Sequence, residues 1–185
     1  MRGKLFIISG PSGVGKSTIL KEILKDEQLV FSISTTTRKQ RKGEVAGRDY
    51  VFIDAAEFEA KINQKEFLEW AKVHGHYYGT TKKWVEDILD NGRDVLLDID
   101  VQGALNLRKI LDYGVFVFIM PPSVEELRRR IKERKTETAK SLARRIVNAE
   151  GEIAKRNLYD YIVVNDILEE AILSLQELIA KARIV

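Results

Sequence analysis

Apolar, β-branched runs and helical patterns take turns along this chain. Residues 5–9 are followed by a helical pattern over 18–25, residues 95–100 by one over 101–111, and residues 115–120 by one that opens at Ser123. Short continuous apolar runs of this kind suit strands buried on both faces, and their alternation with helices predicts a parallel sheet covered by helices. A last strand over 161–165 precedes a helix from about residue 168 to 183, in which Ile172, Leu175 and Ile179 recur at three- and four-residue steps. That helix returns the chain to the core. Two segments break the rhythm. Residues 34–81 carry short alternating runs at 50–53 and 67–73 around one helix beginning near Asp54, where Asp54 and Glu57 form a capping box. This predicts a mostly β insertion projecting from the sheet. Residues 123–158 read as charged and helical, open with a Ser123–Glu126 capping box, are interrupted near 135–138, and are too polar to be all core. The expected division is a core of residues 1–33, 82–122 and 159–185 carrying two excursions, 34–81 and 123–158.

Composition narrows the class. A chain of 185 residues and 21.2 kDa fits one core with small insertions, and 44% hydrophobic with 32% charged residues is a soluble globular balance. The longest apolar run, 115–120, is too short to span a bilayer, and residues 1–8 lack the long apolar segment of a signal peptide. No membrane partner is expected. With no cysteine, disulfide and thiolate chemistry are excluded, and a cytoplasmic location is the default expectation. The net charge of +3 (31 basic against 28 acidic residues) favours anionic partners only weakly, and the basic and aromatic residues are not interleaved as in a nucleic-acid binder. His74 and His76 stand two apart without a third ligand at a plausible spacing, so no zinc site is expected.

The strongest chemical signal is Gly10-Pro11-Ser12-Gly13-Val14-Gly15-Lys16-Ser17, followed by Thr18, which satisfies G-x-x-x-x-G-K-[ST] between an apolar strand and a helix. Glycines let the backbone curl so that successive N–H groups point at phosphate oxygens, and the helix N-terminus adds its positive partial charge. Lys16 is placed to bridge the β- and γ-phosphates, and Ser17 to offer its hydroxyl to Mg²⁺. A nucleoside triphosphate is therefore the first ligand. The run 95–100 ends in Asp98 and Asp100, two apart and so on one side of a strand, at the carboxyl end where ligands gather. These acids either approach the metal or cap the next helix. The loop by itself does not separate a kinase from a GTPase or an ATP-driven motor.

The acceptor is better read from residues 38–48, which hold five basic side chains and one acid, Glu44. An acceptor that is itself a phosphate needs no general base; the obstacle is repulsion between two polyanions, which calls for arginines. Arg38 and Arg41 lie three apart and are followed by Glu44, Gly47, Tyr50 and Phe52. Together with Phe67-Leu68-Glu69-Trp70-Ala71, Tyr77-Tyr78-Gly79-Thr80, Leu97-Asp98-Ile99-Asp100-Val101-Gln102-Gly103, Pro121-Pro122-Ser123, Thr136-Glu137-Thr138 and Val164-Asn165-Asp166, this spacing closely resembles the guanylate kinase family.

The resemblance implies an α/β fold: a P-loop NTPase core of the nucleoside monophosphate kinase kind, with a parallel β-sheet flanked by helices, 34–81 as a GMP-binding subdomain and 123–158 as a lid. It implies transfer of the γ-phosphate of ATP to GMP, and to dGMP, with Mg²⁺. By the same likeness ATP would be held by residues 10–18 with Arg130, Arg134, Asn165 and Asp166, although Asn165 and Asp166 equally suit a plain turn. GMP would be held by Ser34, Arg38, Arg41, Glu44, Tyr50, Glu69, Tyr78, Thr80, Asp98 and Asp100. The arginines and tyrosines would take its phosphate, Glu69 the ring N–H and exocyclic amine, and Ser34 and Thr80 the base carbonyl. Lys16, Arg38, Arg134 and Arg145 would act on the transferring group, and Ser17, Asp98 and Asp100 on the metal. Of the basic residues around 128–130, only about one in three is expected to face inward at a 3.6-residue period. Lys135 stands where many relatives have glycine. The rival is a catalytically inactive guanylate-kinase-like module that binds a phosphorylated ligand, against which the intact Gly15, Lys16 and Ser17 argue. A monomer or small homo-oligomer is expected.

Overall fold

Strand β1 (Leu5–Ser9) sets the plan of the molecule, because its period of two sends Leu5 and Ile7 into one apolar cluster and Phe6 and Ile8 into another. In the computed structural model of the chain, which describes residues 1–73, 75–133 and 139–184, β1 pairs in parallel with β7 (Asp94–Asp98) and β8 (Val115–Met120). Strands β2 (Leu29–Phe31) and β9 (Tyr161–Val164) complete a five-stranded parallel sheet in the order β2-β7-β1-β8-β9. Helices α1 (Lys16–Ile23) and α7 (Leu168–Ile184) cover the Phe6 face through Ile19, Leu20, Leu175 and Ile179. Helices α3 (Lys82–Asp90) and α4 (Val101–Arg108) cover the other through Val85, Leu89, Ala104 and Leu107. This is the expected α/β core.

The insertion forms a second sheet, with β3 (Thr35–Thr36), β4 (Val51–Phe52), β5 (Phe67–Val73) and β6 (His76–Thr81) in the order β4-β3-β6-β5. Its helix α2 (Ala55–Asn63) starts where the capping box placed it: the Asp54 carboxylate accepts the Glu57 N–H at 2.8 Å. Phe58 is fully buried between the Phe67 and Tyr77 rings, centroids 4.2 and 5.1 Å away. Leu68 crosses into the core cluster beside Leu107, so the second sheet is anchored to the first.

The charged excursion contains α5 (Val124–Glu133), capped by the Ser123 hydroxyl on the Glu126 N–H at 3.1 Å, and α6 (Ala139–Ile153). Leu127, Ile131, Ala149 and Ile153 form a small core of their own. The expected break near 135–138, with Arg134 and His74, lies outside the described residues.

Several boundaries differ from expectation. The strand predicted over 95–100 stops at Asp98, because Asp100 turns out of the sheet to cap α4, its carboxylate accepting the Gly103 N–H at 2.6 Å. The two acids therefore do not share one strand face. Strands β2, β3 and β6 and helix α3 were not foreseen; the strands are short or polar and take their form from pairing. Among the described residues no helix is long and apolar enough to cross a membrane.

Candidate active site

The phosphate loop leaves β1 at the carboxyl end of the sheet and runs into α1. Gly15 is the N-cap of α1 in a left-handed conformation, φ 93°, and a Cβ there would lie 2.4 Å from Asn165 Nδ2. Only glycine meets both conditions. Asn165 is 5% exposed; its Nδ2 donates to the Val14 carbonyl at 2.7 Å and its backbone N–H to the Met120 carbonyl at 2.7 Å. Through Nδ2 its side chain holds the loop from beneath, while Asp166 beside it is exposed. No acid stands in the first turn of α1 to compete with an anion for the helix N-terminus.

Residues 10–18 line a cavity of about 360 Å³ together with Asp98, Ile99, Asp100 and Glu152. Lys16 Nζ lies 2.6 Å from Asp98 Oδ1 and donates to the Ile99 carbonyl at 3.0 Å, so the loop cation rests on the end of β7. Among the described residues no three His, Cys, Asp or Glu side chains gather closely enough to hold a metal ion by themselves.

In the insertion, Arg38 is the centre of a cluster. Its guanidinium makes a two-pronged contact with Glu44 at 2.8 and 3.1 Å, faces the Tyr78 hydroxyl, and lies over the Tyr50 and Phe52 rings, 5.2 and 5.9 Å from their centroids. Glu44 also accepts the Arg41 backbone N–H at 2.8 Å. Facing Arg38, with the Arg41 N–H adding to the effect, the Glu44 carboxyl is held below its ordinary value. The Arg41 side chain is exposed beside this cluster, and so are Lys39, Lys42 and Arg48. Ser34, half-buried, closes the start of β3 by accepting the Val51 N–H on its carbonyl at 3.0 Å.

Strand β5 carries an irregularity that aims Glu69. Phe67 pairs with Thr81 and Glu69 with Thr80, so Leu68 is an extra residue against β6 and the strand beyond it turns over. Glu69 then meets the fully buried Thr80, whose hydroxyl donates to its Oε1 at 3.0 Å. The Thr80 hydroxyl is thus engaged on Glu69. Burial pushes the Glu69 carboxyl up to about 7, with a further push from the Asp100 charge and a pull downward from the Thr80 hydrogen bonds. Asp100 therefore joins the two halves: it lines the phosphate-loop cavity and is felt by Glu69.

From the charged excursion, the Arg145 guanidinium donates to Ser12 Oγ at 2.7 Å, and Arg130 donates to Glu126 at 2.7 Å and to the Asn165 carbonyl at 2.9 Å. Arg128 and Arg129 pair with Glu150, Glu126 and Glu133 at the surface, leaving one inward arginine among the three. Glu152 was not foreseen as a lining residue; a lone acid near a helix end gives no sequence signal.

The family model described as "Guanylate kinase" matches residues 2–182. The chain belongs to the guanylate kinase family. Over 179 residues it is 49% identical to a guanylate kinase of Clostridium tetani, the match covering 97% of this chain and 86% of that protein. Over 173 residues it is 49% identical to a guanylate kinase of Thermotoga maritima, covering 93% and 84% of the two. Among solved structures, the crystal structure of guanylate kinase from Anaplasma phagocytophilum aligns with a TM-score of 0.75 at 37% identity, covering 100% of this chain and 88% of that one. Membership of the guanylate kinase family covers both the nucleotide-binding core and the inserted sheet.

Proposed function

We propose that this family member is an ATP:GMP phosphotransferase in which residues 10–18 hold the donor, 34–81 hold GMP and 123–158 act as the lid. The observation that carries this reading is the adjacency at Asp100: a phosphate-loop cavity on one side and the Glu69–Thr80 pair on the other. On binding ATP, Lys16 exchanges Asp98 and the Ile99 carbonyl for the β- and γ-phosphates. Ser17, Asp98 and Asp100 put hard oxygen donors around one cavity, which fits a Mg²⁺ that is completed by phosphate oxygens and water and needs no all-protein cage. Bound there, the ion would supply positive charge against the charge that develops on the phosphate oxygens during transfer.

The acceptor oxygen belongs to the GMP phosphate and is already anionic, so no base is required. Arg38, Arg41, Tyr50 and Tyr78 lower the repulsion by clasping that phosphate, with Glu44 ordering the two arginines. Glu69 accepts from the guanine N1–H and amine, with Ser34 donating to the base carbonyl and Thr80 fixing Glu69. Adenine, which has no N1–H, would leave that buried carboxylate with Thr80 alone. Arg130, Arg134 and Arg145 close over the transferring group and exclude water, which prevents hydrolysis. Asp166 sits toward the adenine, and Asn165 serves through the loop. A cytoplasmic location and a monomer or small homo-oligomer accompany this reading, with neither a nucleic acid nor a membrane as partner.

A coupled assay of ADP formation tests it. Turnover is expected with GMP and dGMP and far less with AMP or UMP. Absence of GMP-dependent turnover sinks the assignment.

A further inference from the structure

Arg38 stands just beyond β3, a strand only two residues long, yet the proposed clasp needs its guanidinium in one place. Glu44 fixes the guanidinium end. Two threonine hydroxyls fix the backbone end. Thr35 pairs with Gly79 and Thr36 with Tyr78 across β3 and β6, which makes Thr37 and Tyr77 the next rung of the antiparallel ladder. A regular hydrogen-bonded rung exchanges two backbone bonds. Here one remains, from the Thr37 N–H to the Tyr77 carbonyl at 3.1 Å, whereas the Tyr77 N–H donates to the Thr37 hydroxyl at 2.9 Å. A side chain has taken the place of the Thr37 carbonyl, and the chain bends out of the sheet at 37–38. Thr36, fully buried, closes this bend: its hydroxyl donates to the Tyr77 carbonyl at 2.9 Å and accepts the Arg38 N–H at 3.2 Å. Tyr77 is a firm partner, because its ring is stacked on Phe58 of α2. Its neighbour Tyr78 meets the Tyr50 ring edge-on, centroids 6.1 Å apart, and Arg38 lies over that same ring.

We propose that Thr36 and Thr37 are positioning residues for the acceptor phosphate: their hydroxyls lock the backbones of Arg38 and Tyr78 into one register and so set the spacing of the clasp before GMP binds. The two positions make different demands. Position 36 needs a group that donates and accepts at once, and position 37 needs an acceptor for one N–H. A hydroxyl meets both. Valine keeps the branched shape and the preference for a strand but removes the hydroxyl, leaving the Arg38 or the Tyr77 N–H without its partner. Part of the binding energy of the phosphate would then be spent on bringing Arg38 back to Tyr78.

The proposal rests on the reading that Arg38 and Tyr78 clasp the GMP phosphate, and guanosine, which lacks that phosphate, tests the two separately. Calorimetric Kd values for GMP and guanosine are measured on the wild type, Thr36→Val, Thr36→Ser, Thr37→Val, Thr37→Ser and Arg38→Met. The ratio of the guanosine Kd to the GMP Kd is expected to fall about tenfold in each valine variant, the size of one partner lost by a buried backbone group. In each serine variant, which keeps the hydroxyl, the ratio should remain that of the wild type. A merely structural role weakens both ligands together, so an unchanged ratio in the valine variants overturns the proposal. A fall of equal size in the serine variants also overturns it, by placing the effect in the methyl groups. If Thr36→Val does not fold, Thr37→Val, at a half-buried position, decides. A lowered ratio in Arg38→Met with unchanged valine variants removes the threonines alone, whereas an unchanged ratio in Arg38→Met removes the phosphate clasp and the proposal with it.

Discussion

Glu69 sits where its charge is costly, and in the proposed site that cost is what selects for guanine. Its carboxyl titrates near 7 instead of 4.5 because burial, and then Asp100, oppose ionisation. Guanine donors compensate the charged form only. The KM for GMP is therefore expected to rise as pH falls through about 7, and a Glu69→Gln enzyme, with a weaker but constant acceptor, to lose this dependence. The ligand-free protein should show the reverse slope. A folded pKa above the unfolded one means that the folded state binds more protons, so the contribution of Glu69 to stability is full below about 4.5 and is lost as pH rises through about 7. Urea midpoints of wild type minus Glu69→Gln, taken from about pH 4.5 to 8, measure it; a flat difference would show that Glu69 is not perturbed in the protein. The same variant should lower the kcat/KM ratio of GMP over AMP, and an unchanged ratio removes Glu69 from the guanine site. In the proposed site Lys16 and Arg41 serve opposite substrates. Lys16→Met is expected to abolish transfer while GMP still binds, and Arg41→Met to raise the KM for GMP; equal loss of GMP binding in both contradicts two separate sites.

Among the elements, what could be read from the sequence was what is decided locally. The loop between β1 and α1, the Asp54 cap of α2, the Ser123 cap of α5 and the stripe of α7 each follow from neighbouring residues. Strand β6 does not, since His76, Tyr77, Tyr78 and Gly79 become a strand by pairing with β5 and β3 on either side. The extra residue Leu68 in β5 could not be read either, yet it turns Glu69 toward Thr80. For Asp100 the sequence left open a place on the strand face or a cap of the next helix, and the structure shows the cap, which takes the residue out of the strand. Asn165, expected near ATP by resemblance, also holds the Val14 carbonyl of the phosphate loop through its Nδ2. Asn165→Ala would leave the Val14 carbonyl buried without that donor, a loss of about 1–3 kcal/mol in urea unfolding. The KM for ATP should rise with it, and the KM for GMP should hold. Equal effects on both KM values would place Asn165 in general stability and not under the phosphate loop.

Over the whole molecule, the proposed chemistry and the clasp of the chain lie at opposite ends of the same strands. Ser9, Asp98 and Val164 end their strands beside the phosphate loop, whereas Asp94 begins β7 at the far end. There Asp94 is 5% exposed and accepts the Lys4 N–H at 2.7 Å and Arg183 Nε at 2.6 Å, while Arg183 also meets Asp26 at 2.8 Å. One carboxylate ties the start of β1, the start of β7 and the end of α7. Asp94→Asn keeps one acceptor but removes the charge, leaving Arg183 with Asp26 alone. The expected loss is about 1.5–3 kcal/mol, the range for a hydrogen bond to a charged group. Because Lys16, Asp98 and Asn165 stand at the other end of the sheet, kcat and both KM values should remain those of the wild type at temperatures where both proteins are folded. Urea midpoints and steady-state kinetics on the same preparation give the answer. A fall in kcat without loss of stability would mean that the two ends of the sheet are coupled.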